Sequence, residues 1–130
     1  MWRGFLAFVY VGVGGLVGSI CRYGLTLLTQ GSAITFPAGT LTSNLAGCFV
    51  IGIVAQIAAD TELLSPATRL FLATGFCGGF TTLSSLIYEL MQMIKSGEWL
   101  YAVIYVNATF FGAVLAFLLG SMAVRLLLRA

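Results

Sequence analysis

Four long apolar stretches with almost no charged residues constrain the fold of this chain more than any other feature. They cover residues 4–29, 39–59, 68–94 and 100–128, with short polar segments between them. About 20 apolar residues in a helix cross the roughly 30 Å hydrocarbon core of a bilayer. The sequence therefore predicts an all-α integral membrane protein, with residues 1–130 forming a single four-helix membrane domain.

Composition excludes several other classes of protein. Charged residues make up 8% of the chain, against about a quarter in a soluble domain. Six cations and four anions are spread along the sequence, so the net charge of +2 creates no basic face for nucleic acid. The absence of histidine removes the commonest metal ligand and proton shuttle. We therefore expect neither an enzyme nor a nucleic-acid partner, and we expect a lipid bilayer as the surroundings.

Small and polar residues interrupt the first two apolar stretches at regular positions. Gly14, Gly18 and Arg22 recur every four residues, so one helix stripe carries two small residues and then a cation. Small residues let membrane helices approach closely. In the second stretch the Asn44 carboxamide needs hydrogen-bond partners, and Thr40 shares its helix face. Asn44 either bonds to another helix or faces a water-filled pore.

The third stretch has the least helix-like interior. Glycines at positions 75, 78 and 79 are followed by four hydroxyl residues: Thr81, Thr82, Ser84 and Ser85. Glycine costs about 1 kcal/mol relative to alanine in a helix, and hydroxyl side chains compete for backbone hydrogen bonds. One interpretation is a helix broken near the bilayer midplane, where freed carbonyl groups hold an ion or line water. The other is a continuous helix with a small-residue packing face.

Two charges, Arg22 and Glu89, lie near enough to the span interiors to be partly buried. They either snorkel towards the lipid headgroups or take part in permeation. The three cysteines, Cys21, Cys48 and Cys77, lie one to a span without a CxxC pattern. We interpret them as small packing residues rather than metal ligands.

Loop charges indicate orientation only by a small margin. The side of the membrane that holds both termini carries four arginines, and the other side carries Arg22 and Lys95. The positive-inside rule therefore favours cytoplasmic termini, although insertion in both orientations also fits so small a difference.

The polar residues favour a passive anion pathway over coupled transport. A proton-coupled drug exporter needs an ionisable group in its membrane core, and the first two stretches contain no acid. Neutral amide and hydroxyl groups replace the water of a small, strongly hydrated anion without adding fixed charge. A small four-helix multidrug exporter is the alternative in a different class.

Three segments of the sequence resemble the Fluc family of fluoride channels, also called CrcB proteins. They are the Gly14-x-x-x-Gly18-x-x-x-Arg22 pattern, residues 37–47 (PAGTLTSNLAG) and residues 75–85 (GFCGGFTTLSS). The resemblance covers essentially the whole chain. It implies a fluoride-selective channel of the bacterial inner membrane that exports cytoplasmic fluoride passively down its electrochemical gradient, without enzymatic chemistry.

The resemblance also implies an antiparallel, dual-topology homodimer with two pores. The third helix would be broken at the midplane, and the backbone carbonyl groups of Gly78 and Thr81 from each subunit would bind one sodium ion at the dimer centre. Arg22 and Glu89 match charged residues of the family. The implied pore residues lie on the second, third and fourth helices and are Asn44, Thr40, Thr82, Leu83, Ser84, Ser85, Leu86, Tyr105 and Thr109.

Two positions depart from the family pattern. The family has phenylalanine at both apolar positions of a T-T-F-S-T-F stretch, where this chain has Leu83 and Leu86. Leucine lacks the positive ring edge that favours an anion. The chain then either conducts through its amide and hydroxyl groups or is a non-conducting or partly degenerate subunit of a heterodimer whose partner supplies the rings.

Overall fold

A computed structural model describes residues 2–30 and 36–129, and all regular structure in these two ranges is helical. Helix α1 covers Trp2–Thr29 and α2 covers Ala38–Asp60. Four shorter elements follow in chain order: α3 (Pro66–Arg69), a π-helical segment (Leu70–Cys77), α4 (Gly78–Phe80) and α5 (Leu83–Lys95). Helix α6 covers Trp99–Arg129.

Four helical segments are long and apolar enough to cross a membrane: Gly4–Thr29, Ala38–Asp60, Pro66–Lys95 and Trp99–Arg129. The shortest has 23 residues and therefore rises about 35 Å, enough for roughly 30 Å of hydrocarbon. Much of the outer surface is apolar, and Phe8, Leu28 and Leu127 are 78–84% exposed. These observations confirm the predicted all-helical chain with four segments capable of spanning a bilayer.

Local sequence explains where the helices of the third segment begin and end. Ser65 caps α3, because its side chain accepts a hydrogen bond from the Thr68 N–H at 3.1 Å, and Pro66 occupies the first turn. Gly97 separates α5 from α6 with a φ angle of +80°. Glycine adopts this left-handed conformation without the steric cost of a Cβ atom, so it ends the helix and lets the chain reverse.

The backbone of α1 packs directly against the third segment through glycines on both sides. A Cβ atom on Gly14 would meet the Phe71 carbonyl oxygen, and one on Gly18 would meet the Phe76 carbonyl oxygen. A Cβ atom on Gly79 would in turn meet the backbone of α1. The spaced glycines of α1 therefore act as the sequence predicts, by letting two membrane helices approach to backbone contact.

Helices α2 and α6 form the most extensive helix–helix contact among the described residues. They run in the same direction, because Gly112 lies beside Leu45 and Gly120 beside Phe49. Near the start of each helix, Thr40 and Tyr105 both donate a hydrogen bond to Glu89. Near the end of each helix, Ser121 donates to Gln56. Polar residues therefore join the two helices at both ends of their contact. The hydrogen bonds to Glu89 are described with the candidate site below.

We expect Gly18→Ala to destabilise the protein by about 1–3 kcal/mol, because the added methyl group forces two packed backbones apart. Gly12→Ala is the matched control, since a Cβ atom there meets nothing within 4 Å. Thermal unfolding of the purified protein in detergent measures both effects. Equal unfolding temperatures for the two variants would show that the α1 contact is not tight.

Candidate functional site

A groove of about 690 Å³ opens between α2, α5 and α6. Its walls are mostly apolar and include Leu83, Leu86 and Phe110. The polar residues that line it are few: Asn44, Thr81, Thr82 and Thr109. An apolar groove with a small number of converging polar groups is the usual form of a binding site, so we place the candidate site here.

Asn44 holds the two-residue link between α4 and α5. The helix stops at Phe80 and starts again at Leu83, because Thr81 and Thr82 are extended, with ψ angles of 156° and 123°. Asn44 Oδ1 accepts a hydrogen bond from the Thr82 N–H at 2.7 Å, and Asn44 Nδ2 donates to the Thr82 carbonyl oxygen at 3.1 Å. The carboxamide thus replaces the backbone partners that a helix would provide.

The link also changes the hydrogen bonding of two carbonyl groups. In a continuous helix the Thr82 N–H donates to the Gly78 carbonyl oxygen, and the Ser85 N–H donates to the Thr81 carbonyl oxygen. Here the Thr82 N–H donates to Asn44, and the Ser85 N–H donates to Thr82 Oγ1 at 3.2 Å. The carbonyl groups of Gly78 and Thr81 therefore lose their helical donors.

Arg22 reaches the end of α4 from the first span. Its Nε donates to the Gly79 carbonyl oxygen at 3.1 Å, and the Ser19 hydroxyl donates to the same oxygen at 3.5 Å. A cation is favourable at a helix C-terminus, where backbone carbonyl groups carry partial negative charge. The half-buried Arg22 therefore contacts the third segment.

Glu89 connects α5 to both α2 and α6. Its Oε1 accepts a hydrogen bond from Thr40 Oγ1 at 2.7 Å, and its Oε2 accepts one from the Tyr105 hydroxyl at 2.6 Å. Tyr105 has no exposed surface, and Thr40 is 5% exposed. Contacts this short are typical of hydrogen bonds to a charged carboxylate. Both oxygens of Glu89 are thus engaged by side chains of α2 and α6.

The remaining hydroxyl residues lie near the link at Thr82 or on α6. Thr82 Oγ1 lies 3.1 Å from Ser84 Oγ and 3.3 Å from Ser85 Oγ, so three hydroxyl groups cluster at the start of α5. Thr109 lines the groove, and its hydroxyl donates to the Tyr105 carbonyl oxygen at 2.8 Å. Of the predicted pore residues, Asn44, Thr82, Leu83, Leu86 and Thr109 line the groove, whereas Thr40, Ser84, Ser85 and Tyr105 lie outside its lining.

Leu83 and Leu86 both line the groove but have different surroundings. Leu83 is 72% exposed, whereas Leu86 is 7% exposed and packs in a core cluster with Met93 and Tyr105. A larger side chain has space at position 83. At position 86 it would have to displace close-packed neighbours.

Sequence reasoning missed a second polar contact between α2 and α6. Gln56 is 6% exposed, accepts a hydrogen bond from Ser121 Oγ at 2.6 Å and donates one to Asp60 Oδ2 at 2.6 Å. The spacing in α2 could have indicated this contact, because Gln56 and Asp60 continue the four-residue spacing of Thr40 and Asn44 and so share their helix face. No comparable spacing of polar residues marks Ser121 on α6.

Together these features define a multi-pass helical membrane protein in which one amide and three hydroxyl groups line an open, mostly apolar groove. The sequence profile of the family described as "CrcB-like protein, Camphor Resistance (CrcB)" matches residues 9–121. The chain belongs to this CrcB-like family. The family predicted from the three sequence segments is thereby confirmed.

Curated relatives are similar over nearly the whole chain. A protein of Chlorobium phaeobacteroides (strain BS1), named fluoride-specific ion channel FluC, is 43% identical over 94% of this chain and 95% of its own length. Proteins of the same name from Chlorobium chlorochromatii and Sorangium cellulosum are 46% and 42% identical, over 88% and 92% of this chain and 89% and 94% of their own lengths. These relatives support neither the multidrug exporter nor the degenerate-subunit alternative.

Proposed function

We propose that this chain is a fluoride-selective ion channel through which cytoplasmic fluoride leaves the cell passively, down its electrochemical gradient. One observation carries the proposal. The Asn44 amide and the hydroxyl groups of Thr81, Thr82 and Thr109 line one groove, in a chain whose relatives over nearly its whole length are named fluoride-specific ion channels. Neutral donors replace the water of a small anion, and passive flow along them needs no covalent step and no catalytic residue.

In this proposal the hydrogen bonds to Glu89 limit how tightly the hydroxyl groups of Thr40 and Tyr105 hold the ion. The carboxylate holds the single proton of each hydroxyl, on Thr40 and on Tyr105, in a defined direction. A fluoride ion that arrives beside a hydroxyl competes with the carboxylate for that proton. Binding is therefore favourable enough for the ion to lose water, yet the nearby negative charge keeps it weak enough for the ion to leave.

We propose further that two copies form an antiparallel, dual-topology dimer in the bacterial inner membrane. The groove is open, and Leu83 and Phe110 on its walls are 72% and 63% exposed, so a second copy would cover apolar surface. The small difference in loop charge is compatible with insertion in both orientations. The link at Thr81 and Thr82 lies midway along Pro66–Lys95, which supports a helix break near the bilayer midplane.

At the dimer centre, a sodium ion is proposed to bind the carbonyl oxygens of Gly78 and Thr81 from each subunit. The residues fit this ion, because both carbonyl groups have lost their helical donors to the Asn44 and Thr82 side chains. The space around the Gly78 Cα atom is also open. Carbonyl oxygens are ligands that hard cations prefer, and a bound cation would neutralise their partial charges and join the two subunits.

We expect sodium to stabilise the purified protein, by about 2.7 kcal/mol at a concentration 100 times its dissociation constant. The unfolding temperature in detergent should rise with sodium chloride and stay level with N-methylglucamine chloride at the same ionic strength. Identical curves in the two salts would contradict the sodium site without touching the assignment of fluoride as the transported ion.

Fluoride efflux from liposomes that contain this protein alone tests the proposed function. A potassium ionophore shunts the membrane potential, a fluoride electrode records release, and chloride-loaded liposomes are the control. Release of fluoride without release of chloride is the expected result, and it would show that Leu83 and Leu86 suffice in place of aromatic rings. No release from folded protein would contradict a self-sufficient channel.

A further inference from the structure

A second pocket lies at the far end of the α2–α6 contact. It has a volume of about 420 Å³ and is lined by polar and charged residues together with one leucine: Gln56, Asp60, Thr61, Arg125, Leu128 and Arg129. Twelve residues of α2 separate Gln56 from Asn44, a rise of about 18 Å. The pocket is therefore distinct from the groove that carries the proposed pathway.

Gln56 forms a rigid floor for this pocket. Its carboxamide is 6% exposed and engaged at both ends, by Ser121 Oγ and by Asp60 Oδ2, at 2.6 Å each. The contact with Ser121 joins α2 to α6, and the contact with Asp60 holds that carboxylate against its own helix. The floor thus fixes the distance between the two helices that form the pocket walls.

Two arginines, Arg125 and Arg129, and one carboxylate, Asp60, line the pocket. Arg125 and Arg129 are four residues apart, so they share a face of α6 with Ser121. With Asp60 as the only acid among the lining residues, the pocket has a formal charge of +1. The guanidinium fork matches the oxygens of a phosphate group and binds them in a bidentate manner.

The pocket combines this charge with hydrocarbon at the membrane boundary. Helix α2 ends at Asp60 and α6 at Arg129, where the apolar spans end and lipid phosphates lie. Leu126 and Leu127 beside it are 66% and 78% exposed, and Leu128 lines the pocket itself. We propose that this pocket binds the phosphate group of an anionic phospholipid through Arg125 and Arg129, with Leu128 against the acyl chain.

Native mass spectrometry of the detergent-solubilised protein tests the proposal with three probes: phosphatidylglycerol, phosphatidylcholine and inorganic phosphate. The Arg125→Gln/Arg129→Gln variant should bind phosphatidylglycerol about 30-fold more weakly, since each surface cation contributes roughly fivefold. Asp60→Asn should bind it several-fold more tightly, because it removes the one anion and still accepts the Gln56 hydrogen bond. Lys95→Gln, which removes a cation from the opposite end of the bundle, should leave binding unchanged.

Several results would overturn the proposal. Equal binding of the two lipids, or unchanged binding in the double variant, would show that the arginines only solvate the end of α6. Complete displacement of phosphatidylglycerol by inorganic phosphate would assign the pocket to free phosphate instead of lipid. If the double variant does not fold, phosphatidylglycerol binding to Arg125→Lys/Arg129→Lys and to Asp60→Asn tests the proposal instead. The lysines should weaken lipid binding, because they cannot form the bidentate hydrogen bonds of a guanidinium group. An unchanged affinity in both variants would refute the assignment.

Discussion

Replacement of Asn44 by alanine is expected to lower the rate of fluoride efflux by about 10- to 100-fold, since a hydrogen bond to a charged group contributes roughly 1.5–3 kcal/mol. Among the described residues, Asn44 provides the only side-chain amide that lines the groove, and it also makes both hydrogen bonds to Thr82. Its loss removes a donor for the ion and leaves a backbone N–H and a carbonyl group in the link unpaired. Efflux from liposomes measures the result.

Two companion variants separate these effects. Asn107→Ala deletes an exposed carboxamide on α6 that donates to the Val103 carbonyl oxygen, and efflux should stay within about twofold of the parent. Asn44→Asp keeps an acceptor for the Thr82 N–H, so the link should hold, but it removes the donor and adds a charge that repels the anion. Undiminished efflux through a folded Asn44→Asp variant would contradict the role of this residue in the pathway.

Removal of the Glu89 carboxylate or of the Tyr105 hydroxyl is expected to destabilise the protein by about 1.5–3 kcal/mol each, because a hydrogen bond to a charged group is lost inside the bundle. The 2.6 Å contact joins the carboxylate to a side chain with no exposed surface. Glu89→Gln, Tyr105→Phe and the double variant form a double-mutant cycle. Reversible unfolding in detergent should show that the two single effects do not add.

Glu62→Gln is the matched control for this cycle, since Glu62 is exposed and lies between α2 and α3. Its unfolding free energy should change by less than about 0.5 kcal/mol. Strictly additive effects of Glu89→Gln and Tyr105→Phe would mean that the contact contributes nothing. Fluoride efflux through the same variants should fall with Tyr105→Phe, because this change also removes a hydroxyl donor from the pathway.

Particular residues show how far sequence reasoning reached at the site. That Asn44 needs hydrogen-bond partners follows from the position of its amide in an apolar span. The sequence does not decide whether this amide faces another helix or a pore. The structure shows that it bonds to Thr82, 38 positions later in the chain, and that it also lines the groove. Arg22 and Glu89 were recognised as partly buried charges, yet their contacts with Gly79, Thr40 and Tyr105 come from other spans and have no local signal.

The class of protein follows from the sequence, because the length and polarity of each apolar stretch are local properties that a bilayer of given thickness selects. The sequence also determines which residues share a helix face, since helix periodicity depends on spacing alone. Which helix faces meet is visible in the fold alone: Thr40 and Tyr105 contact Glu89, and Ser121 contacts Gln56. These partners are 16 to 65 positions apart, and their meeting depends on how closely the glycines let the helices pack.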